Sequence, residues 1–90
     1  MATKHETHPG IIVRLKRVEG HLRSTIAMIE DGRSCNELAQ QLHAIEAAVG
    51  NAKRELIHDH IEHCLEVPAG EGAAHAKKAL AELKALTKYL

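Results

Sequence analysis

Between residues 35 and 56 the apolar side chains alternate in steps of three and four: Cys35, Leu38, Leu42, Ile45, Val49, Ala52 and Leu56. This is the seam of a packed helix, with the spacing of a coiled coil. Two further steps of four reach His60 and Cys64. The seam is therefore aliphatic along its middle and carries thiol or imidazole groups at its ends. Ser34 supplies an N-cap, with Glu37 three residues on as in a capping box. Gly50 interrupts the run at a cost of up to about 1 kcal/mol relative to Ala. The helix is predicted to pass through it to about Leu65, where Val67-Pro68-Ala69-Gly70 breaks the chain.

Two more helices are legible. Ile11/Ile12, Leu15, Val18, Leu22, Ile26 and Ile29 recur at helical spacing and predict a helix from about Pro9 to Glu30. Pro9 lies in its first turn and Gly32 stops it. A third helix is predicted from about Gly72 to Tyr89, with Ala76, Leu80, Leu83, Leu86 and Leu90 as its stripe, and it reads as cover for the bundle. No strand signal, repeat or low-complexity tract is present. The expected fold is all-α, with three helices per chain and residues 1–90 forming one domain. Residues 1–8 are expected to form a flexible N-terminal arm.

The chain contains no Phe or Trp and a single Tyr. A domain of this size buries only about 60–65% of its unfolded surface. A thin aliphatic core points to completion by oligomerisation. The formal net charge is zero, which does not suggest a nucleic-acid binder, but distribution matters more than the sum. Arg14, Lys16, Arg17 and Arg23 cluster early, Lys53-Arg54 sit in the middle, and acids gather at Asp59, Glu62 and Glu66. No apolar run approaches the roughly 20 residues of a membrane span. The polar N-terminus has no secretory apolar segment, so a cytoplasmic location is expected.

Two cysteines accompany eight histidines, and in a cytosolic chain this points to metal or catalysis before a disulfide. His60 and Cys64 stack on one helix face, four residues apart. Cys35 stands about 37 Å from His60 along the same helix, so the three cannot meet within one chain. In an antiparallel pair of these helices, Cys35 of one subunit lies beside His60 and Cys64 of the other. A two-fold dimer then has two such sites. Two thiolates and one imidazole suit Cu(I), Zn(II) or a thiolate-favouring Ni(II) site, not Mg or Ca. Fourth-ligand candidates are His5, His8 and the α-amino group, with His43, His58 and His63 as alternatives. His63 also reads as a neighbour of the ligand set, and Asp59 or Glu62 as carboxylates that orient a ligand imidazole.

The segments RLKRVEGHLRSTIAMIEDGRSC and QQLHAIEAAV and the HDHIEHC block together resemble the CsoR/RcnR family of metal-sensing repressors, over nearly the whole chain. The resemblance implies an antiparallel four-helix-bundle dimer with the third helices packed on it, commonly as a homotetramer. It implies a cross-subunit metal site, operator DNA bound by the metal-free form, and release on metal binding that derepresses an efflux or resistance operon. It assigns DNA contact to basic residues of the first two helices, here Arg14, Lys16, Arg17 and Arg54. Copper members share the Cys–His–Cys pattern, and nickel and cobalt members add an N-terminal histidine that His5 or His8 can match. Ser34 stands where copper members often have Tyr. Gly20-His21 replaces the usual Gly-Gln and resembles a nickel-linked subgroup, which makes His21 a further candidate. The effector is expected to be Ni(II)/Co(II) or Cu(I).

Other readings use the same residues. Formaldehyde sensing needs Cys35 and the N-terminal amine, and persulfide sensing needs Cys35 and Cys64 without His60. A metal chaperone or storage bundle needs no DNA contact, although basic residues on two helices argue against it. An enzyme is not expected: a Cys–His pair can act as a nucleophile, but no Gly-rich loop or oxyanion turn accompanies it.

Overall fold

The computed structural model describes residues 8–65 and 72–90, apart from the side chains of residues 63–65 and 75. The order is α1 (His8–Glu30), α2 (Cys35–Leu65), α3 (Gly72–Leu86) and a closing 3-10 turn (Thr87–Tyr89). The described residues contain no strand. α1 begins one residue before the expected Pro9, so His8 belongs to the helix. α3 ends three residues before the expected Tyr89. There the Thr87 hydroxyl donates to the Lys84 carbonyl at 2.6 Å and the Leu90 amide donates to the Thr87 carbonyl at 3.3 Å.

The α1–α2 turn is built from local chemistry. Gly32 has φ of 76°, a left-handed conformation that costs glycine little. The Arg33 amide donates to the Met28 carbonyl and the Gly32 amide to the Ile29 carbonyl, both at 3.1 Å. This is the Schellman pattern, and it satisfies two carbonyls at the end of α1. Two residues later the Glu37 amide donates to Ser34 Oγ at 3.2 Å, capping α2. The Ser34 hydroxyl in turn donates to Glu37 Oε1 at 3.3 Å, and Arg33 pairs with the same carboxylate.

α1 and α2 then run antiparallel. His8 faces Asp59 near one end of the pair, and His21 faces Gln41 towards the other. Their contact is a seam with a seven-residue period. Ile11, Val18 and Thr25 of α1 and Ile45, Ala52 and Asp59 of α2 are buried. Thr25 is polar, but its hydroxyl donates to the His21 carbonyl at 2.8 Å, so its burial leaves no unmade bond. Ile57 is also buried. It lies about 140° around α2 from Ala52, and among the described elements only α3 otherwise packs against α2.

The single apolar stripe expected on each long helix divides into two. One half fills the α1–α2 seam. The other half, Leu15, Leu22 and Ile29 with Leu42, Val49 and Leu56, is 41–54% exposed in the chain. On α3, Ala79, Leu83 and Leu86 are half-buried, whereas Ala76, Leu80 and Leu90 of the expected stripe are exposed.

Candidate functional site

Cys35 is the first residue of α2, and its free thiol is exposed. It shares a seven-residue register with the uncovered Leu42, Val49 and Leu56. His60 lies near the other end of α2 and is half-buried. Its Nε2 is 3.4 Å from Oε2 of Glu82 on α3. Cys64 lies within α2 one turn beyond His60, with its side chain outside the described residues, as is that of His63. His5 is also outside them. Among the described residues no three His, Cys, Asp or Glu side chains of one chain converge on a common point.

The antiparallel pairing brings the start of α1 to the His60 end of α2. His8 Nε2 lies 3.8 Å from Oδ2 of Asp59, the residue before His60. Asp59 continues the buried Ile45–Ala52 register and faces α1. The carboxylates expected to orient a ligand imidazole were Asp59 and Glu62. Asp59 faces His8, itself a ligand candidate, and Glu82, which was not among the expected carboxylates, faces His60. His43 is exposed in the first third of α2, about 12 Å along the helix from Cys35. His58 lies in a groove with Arg14 and Arg54.

The basic candidates sort by geometry. Two adjoining grooves run along one side of the α1–α2 pair. One is lined by Arg14, Asn51, Arg54, Glu55 and His58. The other is lined by Arg14, Arg17, Val18, His21, Ala48 and Asn51. Arg14, Arg17 and Arg54 are thus gathered on one surface. Lys16 lines neither groove, because two residues along a helix turn it about 200° from Arg14. Arg14 Nη1 pairs with Glu55 Oε2 at 2.7 Å. Arg54 Nη2 donates to Asn51 Oδ1 at 2.5 Å. The Arg54 guanidinium also lies over Gly50, with Nη1 3.4 Å from where a Cβ would stand. His21 Nε2 lies 2.6 Å from Gln41 Oε1 and ties α1 to α2 at the edge of this surface. Asn51, Glu55, Gln41 and Glu82 were not among the expected site residues. Glu55, Gln41 and Glu82 give no signal of their own because the register between helices supplies their partners, whereas Asn51 meets Arg54 within α2 itself.

Residues 7–89 match the family described as metal-sensitive transcriptional repressor. The copper-sensing transcriptional repressor CsoR of Bacillus subtilis is 35% identical over 77 residues, covering 83% of this chain and 76% of that protein. The copper-sensing transcriptional repressor RicR of Mycobacterium tuberculosis is 35% identical over 72 residues, covering 80% and 75%. Among solved structures, the nickel-responsive transcriptional regulator InrS superposes with a TM-score of 0.81 at 33% identity, over the full length of both chains.

Proposed function

The chain belongs to the metal-sensitive transcriptional repressor family, and we propose that it holds its effector metal between the ends of two antiparallel α2 helices and grips operator DNA with its basic grooves. It is a metal-responsive transcriptional repressor and not an enzyme. Cys35 of one protomer joins His60 and Cys64 of its partner. What supports this is the uncovered stripe Cys35, Leu42, Val49 and Leu56 on a helix whose ligand candidates stand at opposite ends.

A second copy laid antiparallel on that stripe covers Leu42, Val49 and Leu56, with Leu15, Leu22 and Ile29 completing a four-helix bundle. These six side chains per protomer are 41–54% exposed in the single chain. At about 1 kcal/mol each, their burial offsets the roughly 4–15 kcal/mol cost of association. Two such dimers form the homotetramer. The whole chain, 1–90, acts as one domain, in the cytoplasm, where its thiols stay reduced.

The donor set, two thiolates and an imidazole, fits a borderline or soft ion, Ni(II)/Co(II) or Cu(I). The exposed Cys35 thiol can be reached by a partner, and His60 is backed by the Glu82 carboxylate. Cys35, His60 and Cys64 give the three positions of a Cu(I) site. His8, carried to the His60 end by α1, or His5 adds the fourth donor that Ni(II) requires, which favours nickel and cobalt. Bound, the ion supplies a rigid link between protomers. His60, tied to Glu82, then fixes α3 and the end of α2 relative to the partner's Cys35. Arg14, Arg17 and Arg54 ride on the same helices, so their spacing across the dimer changes with the link. The metal-free form holds the spacing that fits operator DNA, and release derepresses an efflux or resistance operon. Lys16 adds charge outside the grooves, and His21 and His63 serve as neighbours of the DNA and metal residues respectively.

Anaerobic titration of Ni(II), Co(II) and Cu(I) into the protein bound to a labelled operator duplex tests this. At least one of these ions should dissociate the complex at one equivalent per protomer. Stoichiometric metal binding with unchanged DNA affinity would overturn the coupling.

A further inference from the structure

Both guanidinium groups in the Arg14–Arg54 groove are already held, but by unlike partners. Arg54 is held by the neutral amide oxygen of Asn51 at 2.5 Å. Arg14 is held by a carboxylate, Glu55 Oε2, at 2.7 Å. That oxygen is itself buried and has no partner in hydrogen-bond geometry. Glu55 is thus bound to Arg14 by charge, inside a groove that otherwise presents Arg14, Arg54, Asn51 and His58. A phosphate of a DNA backbone brings the same chemistry as this carboxylate: an anionic oxygen for a guanidinium.

We infer that Glu55 occupies the place of a DNA phosphate on Arg14, and that duplex DNA must displace it to bind. The inference rests on the DNA-binding reading above and adds a residue that restrains it. Displacement is easy, because Arg14 and Glu55 are 56% and 32% exposed and such pairs contribute about fivefold at most to an equilibrium constant. Once displaced, Glu55 Oε2 regains the water that its present position denies it. The cost of parting the carboxylate from Arg14 falls on every DNA complex, whatever its sequence. Glu55 therefore lowers sequence-independent binding, which arises almost wholly from phosphate contacts.

The test is a double-mutant cycle on the full-length protein, read by fluorescence anisotropy of a labelled duplex of generic sequence at low salt. Glu55→Gln keeps the shape of the side chain and removes its charge. It should bind about fivefold tighter than the parent. In an Arg14→Gln background the same change should alter affinity by less than about twofold, because the restraint acts through Arg14. Circular dichroism establishes that each variant is folded. Parent binding with no gain in Glu55→Gln, or an equal gain in both backgrounds, would overturn the inference while leaving the DNA reading intact. Failure of every variant and the parent to bind would overturn the DNA reading, and this inference with it.

Discussion

Glu82 on α3 sets its Oε2 3.4 Å from Nε2 of His60 on α2, so the third helix reaches the imidazole of the proposed metal site. A carboxylate beside one ring nitrogen orients the imidazole so that the other nitrogen can face a metal ion. On the proposed reading, α3 shapes the site as well as packing against α2.

Glu82→Gln should leave helix content unchanged and weaken metal affinity about 10–100-fold. Competition against a chelator of known affinity measures this. Unchanged affinity would remove α3 from the site.

The uncovered stripe centres on Val49, which is 43% exposed in the chain. Val49→Asp should not disturb the α1–α2 seam, since Val49 lies outside it. It should instead convert the protein to monomers by sedimentation velocity, because facing carboxylates near a two-fold axis repel and lose their water. An oligomer unchanged by the substitution would place the interface elsewhere.

Arg14 and Arg54 share a groove, and Lys16 points away from it. Arg14→Gln and Arg54→Gln should each reduce the slope of log affinity against log salt by about 0.9 for every phosphate left without its cation. Lys16→Gln should change that slope less. Fluorescence anisotropy across a salt series separates them.

Gly32 ends α1 with φ of 76°, and nothing lies within 4 Å of a Cβ built there. Gly32→Ala should therefore cost about 1–2 kcal/mol through backbone conformation alone. Urea unfolding should show a lower midpoint with an unchanged slope.

The helices, the Gly32 stop and the Ser34 cap were legible because each is written in residues near one another. The division of each apolar stripe was not. Ile45 and Leu42 look alike in one dimension, and only the packing of α1 decides that Ile45 is covered and Leu42 is left for another partner. Thr25 does not read as a core residue in the sequence, because it is polar. Its place seven residues after Val18 was the available signal. Cys35, His60 and Cys64, the proposed ligands, are legible as residue types at a spacing. Glu82 was not, because its meeting with His60 depends on how α3 packs against α2. The same holds for Glu55 at Arg14, where an acid on one helix answers a base on the other.

The central claim is that each metal site takes Cys35 from one protomer and His60 and Cys64 from its partner. It is tested most directly by mixing subunits. A Cys35→Ala chain and a His60→Ala/Cys64→Ala chain, carrying different tags, are co-expressed, and the mixed dimer is isolated and loaded anaerobically with Ni(II) or Cu(I). Each homodimer should lack the thiolate-to-metal absorption of the parent. The mixed dimer should regain half of it, because one of its two sites is then complete. A mixed dimer as silent as its parents would mean that Cys35 of one protomer does not share a site with His60 and Cys64 of the other, and would contradict the account.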